Sequence, residues 1–337
     1  MYKNKSILVT GGAGSIGGEI VRELLKHKPK VIRVLDINET GLFDLDNELD
    51  SDLIRPLIGN IEDRKRVRKA MDGVDIVFHA GALKHVPLCE YNPYEAVKTN
   101  IVGTQNVIDC AIEEEVKTMI TISTDKAVNP INVMGATKLL SERLTISGNF
   151  YKGPRKTALS CVRFGNVLGT RGSVVLTFMK QLMYGNEVTI TDKDMTRFFM
   201  PVPDAVKLVL RAGDMAQGGE IFVLKMDALR ITDLAEVIND MMMNCKRELK
   251  FNIIGKRANE KMHEELLTED ELDSTYETDD MYIIYPQFTP KHSKQIQYNY
   301  PDKKLTKIPT EKRYLNKKEI RSVLERFVDK EWELSNK

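Results

Sequence analysis

From residue 1 to about 170, short apolar runs alternate with amphipathic helical patterns. Ser6 to Thr10 reads as a short buried strand, and Val31 to Leu35, Ile54 to Ile58, Ile76 to His79, Met119 to Ser123 and Leu159 to Arg163 read as further strands. Tyr94 to Glu114 reads as one long helix with its start at Pro93. Strands that alternate with helices predict an α/β fold, a doubly wound parallel sheet covered on both faces. Right-handed crossovers would set the strand ends along one ligand crevice. After Gly172 the segments shorten, with strand-like Val188 to Ile190 and Ile221 to Val223 and helix-like Asp204 to Ala212 and Ile231 to Met243. That change predicts a smaller α/β domain, less regular than the first. From Pro286 the chain is polar and lysine-rich, ending in an amphipathic helix from about Asn316 to Phe327. The expected division is a domain at 1–170, a second at 171–285 and a tail at 286–337.

The first strand runs straight into Gly11-Gly12-Ala13-Gly14-Ser15-Ile16-Gly17 and then a helix. Glycines at 11, 14 and 17 permit a tight turn, close approach of backbone to a pyrophosphate, and close helix–strand packing. The helix N-terminus offers unpaired N–H groups to the phosphates. Thr10, Gly11, Gly14, Ser15, Ile16 and Gly17 are therefore candidate dinucleotide contacts, although the glycine pattern outside this context is an ordinary turn. Asp36 ends the next strand, nineteen residues beyond Gly17. An acid there accepts both adenosine ribose hydroxyls and repels a 2′-phosphate, which favours NAD over NADP. An exposed acid at a strand end is the plain alternative.

Composition narrows the class. The chain has 337 residues, 42% of them hydrophobic, and 50 basic against 49 acidic residues leave a net charge of +1. That length buries an ample core, and the balanced charge gives no nucleic-acid footprint. Cys89, Cys110, Cys161 and Cys245 show no CxxC or metal spacing, so they read as packing residues in a reducing cytosol, with no metal expected. No leader pattern and no bilayer-length apolar run is evident, which predicts a cytoplasmic protein without a membrane partner. Met241 to Met243 read as helix packing, and Glu113 to Glu115 as a solvated helix end.

The chemistry concentrates in Ser123-Thr124-Asp125-Lys126 at a strand end, followed by Met134-x-x-x-Lys138. An Asp-Lys dipeptide is ordinarily a surface ion pair; here it sits at a strand end, ahead of a second lysine. With the glycine loop, His79-Ala80-Gly81-Ala82 and Asn100, these residues resemble the extended short-chain dehydrogenase/reductase superfamily, which implies a Rossmann fold with a smaller substrate-binding domain. Ala82 to Pro87, Ser123 to Pro130, Arg163 to Val167 and Met195 to Phe199 look like the dehydratases that act on UDP-N-acetylglucosamine at C4 and C6. The resemblance runs from Ile7 to about Leu267.

That resemblance implies a nucleotide-sugar 4,6-dehydratase. Bound NAD(P) takes hydride from sugar C4, water leaves across C5 and C6, and hydride returns to C6. It implies Lys126 as the C5 base, Asp125 as the acid at O6 and Thr124 as a hydrogen-bonding group near O4. A lysine base at pH 7 must titrate well below its ordinary ~10.4, which calls for desolvation and neighbouring cations such as Lys84 and Lys138. Superfamily members usually carry tyrosine where Met134 stands, and a thioether carries no proton. Asp125 or Lys126 then remains for the O4 proton, while Lys138 holds the nicotinamide ribose. Asn60, Ile61, Ala80, Gly81, Ala82, Asn100 and Ser123 complete the implied cofactor site. Arg197 and Arg257 are implied as a pyrophosphate clamp, with Asn166 and Glu260 near the sugar nucleotide. Arg257-Ala258-Asn259-Glu260 departs from the Pro-Gly that usually follows that arginine. UDP against GDP stays open, as does C5 stereochemistry, and family resemblance implies a homo-oligomer. A 4- or 5-epimerase and a catalytically silent NAD-binding sensor or scaffold are the alternatives.

Overall fold

The computed structural model describes residues 1–170, 172–243, 248–288, 290–291, 298, 303–307 and 313–325. Up to Arg163 the elements are β1 (Ser6–Thr10), α1 (Ser15–Lys26), β2 (Val31–Asp36), α2 (Glu39–Leu49), β3 (Ile54–Ile58), α3 (Arg64–Met71), β4 (Ile76–His79), α4 (Val86–Tyr91), α5 (Pro93–Val97), α6 (Thr104–Glu113), β5 (Thr118–Ile122), α7 (Val133–Tyr151) and β6 (Ala158–Arg163). Then come β7 (Asn166–Leu168), α8 (Val174–Tyr184), β8 (Glu187–Ile190), β9 (Thr196–Pro201), α9 (Val202–Met215), β10 (Ile221–Leu224), β11 (Asp227–Arg230), α10 (Ile231–Met243), β12 (Lys250–Ile253), β13 (Thr275–Glu277) and β14 (Met281–Ile284). Every residue of β1, β4, β5 and β6 is buried, which is why these strands read as near-continuous apolar runs.

The chain forms two compact units that interleave in sequence. The first takes Met1–Phe164, Val206–Lys225 and Glu265–Ile308, and the second takes Gly165–Ala205, Met226–Glu264 and Pro309–Lys337. Among the described residues the first unit holds a nine-stranded sheet in the order β13-β14-β10-β6-β5-β4-β1-β2-β3. It is parallel from β3 to β10, and β14 and β13 close it antiparallel. Contiguous blocks of sequence do not match these units, because β10, β13 and β14 return to the first sheet after an excursion. Strand order reverses at β1, whose neighbours are β2 and β4, and this switch point is where open α/β sheets bind ligands.

One core of this unit joins Leu8, Val77, Met119 and Leu159 of the sheet to Val67 and Met71 of α3 and Val107, Ile108 and Ala111 of α6. Each such side chain contributes roughly 1.5–3 kcal/mol by leaving water. The helix expected from Tyr94 to Glu114 comes in three pieces, with a π-helical turn at Lys98–Gly103 between α5 and α6. The wider turn leaves the Asn100 carbonyl to hydroxyl donors, Thr104 Oγ1 at 2.7 Å and Ser141 Oγ at 2.6 Å. At its far end Glu113 and Glu114 pair with Arg64 and Arg68 of α3, so these two acids are held by cations as well as by water.

A buried ion triad stitches α7, β6 and the segment before β13. Arg163 forks onto Glu142 at 3.0 and 2.8 Å and onto Glu271 at 2.9 and 2.8 Å. Burial alone would push the Glu271 carboxyl up, but the hydrogen bonds and charge of Arg163 outweigh it and hold it below the usual carboxylate range.

Among the described residues the second unit has a three-stranded sheet, β11-β9-β7, and a two-stranded one, β12-β8. Its core joins Phe178 and Leu182 of α8, Leu234 and Ile238 of α10, and Ile320 and Leu324 of a helical stretch at 317–325. The polar tail therefore supplies apolar anchors to this unit. Met241 and Met242 pack against the same core, as expected of helix packing. Cys89, Cys110 and Cys161 are buried free thiols; Cys245 and Phe327 lie outside the described residues. No described helix is long and apolar enough to cross a membrane, and no described cluster of His, Cys, Asp and Glu could hold a metal ion.

Candidate active site

At the switch point the loops that follow β1 and β4 meet backbone to backbone. A Cβ on Gly11, which has φ +67°, would lie 2.5 Å from Gly81 N, and one on Gly17 would lie 2.2 Å from Gly11 O. Only glycine fits these positions, and the surface they leave is bare backbone of the kind a pyrophosphate approaches. Asp36 closes the loop from β2: Oδ2 accepts Ala13 N–H at 3.0 Å and Oδ1 accepts Asn38 N–H at 2.9 Å. Its carboxylate is thus oriented by two backbone donors before any ligand arrives. Asn60 orders the turn after β3 by accepting Glu62 N–H at 3.0 Å. Ile61 is committed to the core and packs over Gly103.

Asn100 holds the chain beyond β4 at both of its backbone groups. Oδ1 accepts Leu83 N–H at 2.8 Å, and Nδ2 donates to Leu83 O and Thr137 Oγ1, each at 3.0 Å. Lys84 comes next, on an exposed stretch.

From β5 the chain enters Ser123 and a 3-10 turn at Asp125–Ala127, capped by Thr124. Asp125 is fully buried, and its Oδ1 accepts from Thr124 Oγ1 at 2.9 Å and from Lys126 Nζ at 3.0 Å. Its other oxygen, Oδ2, and the hydroxyl of Ser123 are buried without a hydrogen-bond partner. Two orphaned polar atoms within one short stretch of chain are groups that a ligand or water would satisfy. Gly135 brings α7 against this turn, since a Cβ there would lie 2.3 Å from Lys126 O.

Met134 is 3% exposed and packs with Cys89 and Ala96, so its thioether faces an apolar cluster. One turn on, Lys138 donates to Ile122 O at 2.8 Å. Burial pushes the Lys138 ammonium down to about 8, with the buried Cys161 and Glu142 pulling the other way.

In the second unit, Arg197 on β9 is 6% exposed. It donates to Thr196 O at 2.8 Å and Met262 O at 3.1 Å, and pairs with Glu260 at 3.1 Å. Asn166 opens β7, which runs parallel to β9. Arg257 is exposed on the turn between Gly255 and Asn259, both with positive φ. Arg197 and Glu260 are therefore brought together, and Arg257 is exposed on the surface. Sequence reasoning missed Thr104, Thr137 and Gly135. The four-residue spacing from Asn100 to Thr104 is the one signal that could have found the first.

A doubly wound sheet with a glycine-rich loop at its switch point defines an extended short-chain dehydrogenase/reductase of Rossmann type. Residues 7–286 match the family model described as polysaccharide biosynthesis protein, and the chain belongs to that family. It is 55% identical to an uncharacterized membrane protein of Methanocaldococcus jannaschii over 96% of each chain. It is 44% identical to a UDP-N-acetylglucosamine 4,6-dehydratase (inverting) of Campylobacter jejuni subsp. jejuni serotype O:23/36 (strain 81-176), over 85% of this chain and 84% of that one. Among solved structures, Pen from Bacillus thuringiensis superposes with a TM-score of 0.85 at 41% identity, covering 96% of this chain and 99% of that one.

Proposed function

We propose that the chain is an NAD-dependent nucleotide-sugar 4,6-dehydratase acting on UDP-N-acetylglucosamine. The observation that carries this reading is the shared grip of Thr124 and Lys126 on one oxygen of Asp125, with a buried methionine at position 134. An elimination needs a base at C5 and an acid at O6, and this cluster offers both without a phenol. The similar Campylobacter dehydratase supports the same substrate class.

The bare-backbone cradle, the oriented Asp36 carboxylate and the unpaired Ser123 hydroxyl fit a dinucleotide. Bound NAD would supply hydride transfer, out of C4 and back to C6. In this reading Gly14, Ser15, Ile16, Ala80 and Ala82 line the phosphates and ribose, the fully buried Thr10 supports them from beneath rather than by contact, and Lys138 holds the nicotinamide ribose. Arg197 and Arg257 serve the pyrophosphate, with Asn166 and Glu260 on the sugar nucleotide.

Asp125 has no exposed surface, so the acid role implied by resemblance runs through its neighbours rather than by direct contact. Thr124 accepts the O4 proton as its own passes to Asp125 Oδ1. Lys126, which must be neutral at this point, then removes the C5 proton that the C4 ketone has acidified. The proton stored on Asp125 returns through Thr124 or Lys126 to the C6 hydroxyl, which leaves as water. Lys126 gives its proton back to C5 as hydride reaches C6. The net loss is one water, made of the O4 proton and the C6 hydroxyl. The reading also carries a cytoplasmic protein and, as resemblance implies, a homo-oligomer.

Incubation with NAD and UDP-N-acetylglucosamine, followed by product mass, tests it. Loss of water is expected. A mass-neutral conversion would point to a 4- or 5-epimerase, and NAD binding without turnover of any sugar nucleotide would point to a sensor or scaffold.

A further inference from the structure

Beneath the two loops of the cradle runs a chain of buried hydroxyls with one histidine in its middle. The Thr104 hydroxyl donates to Asn100 O at 2.7 Å, so toward His79 Nε2, 3.0 Å away, it can only accept. The ring proton of His79 therefore sits on Nε2 and leaves Nδ1 as an acceptor. Thr10 Oγ1 lies 2.7 Å from Nδ1 and must donate to it. Thr10 in turn presents a lone pair to Gly81 N–H at 3.4 Å. Every link points one way, from Gly81 through Thr10, His79 and Thr104 to Asn100. His79 is 2% exposed, and burial first, then the Lys138 charge, pushes its imidazole down to about 3, which keeps the ring neutral.

The contact supported by this chain is unusually bare. Gly11 and Gly81 meet without a side chain between them, so side-chain packing does not fix their relative height. Thr10 and His79 are neighbours in the β1–β4 register, directly below that contact. Asn100 carries the other end to Leu83 and Thr137, and the Thr137 hydroxyl bonds Met134 O at 2.8 Å.

We propose that His79 is a positioning residue for the dinucleotide loops: its bond to Thr104 fixes Thr10 and so sets the Gly11–Gly81 contact that receives the phosphates. The inference rests on the reading that these loops bind NAD. Thr104 is 2% exposed and reaches the cradle through His79 on one side and Asn100 on the other, so changing it acts from a distance.

The test is NAD titration of the purified full chain, followed by protein fluorescence, for wild type, Thr104→Val, Thr104→Ser and His79→Gln. Thr104→Val, which removes the hydroxyl's bonds to both His79 and Asn100 O, is expected to weaken NAD binding about five- to tenfold. Thr104→Ser should stay within about twofold of wild type, for the hydroxyl is restored. KM for the sugar nucleotide should be unchanged in each. Should Thr104→Val fail to fold, His79→Gln carries the same expectation of weakened NAD binding. Wild-type affinity in Thr104→Val, no rescue by serine, or an equal loss in sugar KM would overturn the inference alone. A wild-type chain that binds no NAD would overturn the cofactor reading, and this inference with it.

Discussion

Lys126 reaches Asp125 Oδ1 at 3.0 Å from a side chain that is 21% exposed, whereas Asp125 is wholly buried. Two residues adjacent in sequence thus differ in their access to water, one partly exposed and one buried, within the 3-10 turn at Asp125–Ala127. Removing either leaves the other compromised. Lys126→Met strands a buried carboxylate, and Asp125→Asn takes away the proton store. Each is expected to slow water loss about 10²- to 10⁴-fold, the usual worth of a positioned acid or base. The double variant should be little slower than the slower single, since residues that act as a unit are not additive. Product mass against time for the three variants checks this.

Met134→Tyr tests whether the site lacks a phenol. The methionine fills an apolar pocket with Cys89 and Ala96, and a larger polar ring there should cost about 1–3 kcal/mol of stability. The rate of C4 oxidation should not rise. A hundredfold gain in that rate, measured as reduced nicotinamide in a single turnover, would show that Thr124 and Asp125 do not take the O4 proton.

Lys138 gives a pH signature. Burial lowers its folded value to about 8 from an ordinary 10.5. Below pH 8 both folded and unfolded chains hold the proton, and the folded chain bears the full penalty of a desolvated ammonium. Between pH 8 and 10.5 the unfolded chain binds more protons than the folded one, so this residue adds stability as pH rises. Denaturant unfolding across that window should show the rise in wild type and a flatter profile in Lys138→Met.

Arg163→Met leaves Glu142 and Glu271 buried without their cation, because all four carboxylate oxygens bond to that one guanidinium. Breaking such a group from one side costs about 3–5 kcal/mol. Urea unfolding should show a loss of that size, and a change below 1 kcal/mol would mean the triad is held by its surroundings.

The sheet and the glycine loop were legible in the sequence because they depend on local pattern. Apolar runs such as Ile7 to Val9 announce strands, and the glycines at 11 and 17 answer to backbone contacts that exclude any side chain. The burial of Asp125 was not legible. An Asp-Lys pair reads alike on a surface and at a strand end, and only the fold decides which of the two side chains faces water. Nor could spacing reveal the π turn that aims Asn100 inward, because one wider turn hardly disturbs the apolar periodicity of a long helix. The grip of Glu142 and Glu271 on Arg163 spans more than a hundred residues and has no sequence signature.

The interleaved course of the chain makes the first part of its nine-stranded sheet inseparable from the strands contributed late in the sequence. A fragment cut at residue 170 would lack β10, β13 and β14, leaving β6 as a raw edge with its hydrogen-bonding groups open to other chains. It would also keep Arg163 and Glu142 while losing Glu271. Such a fragment should be recovered as aggregate, and insertions or swaps between relatives will succeed only if both later segments travel with the first.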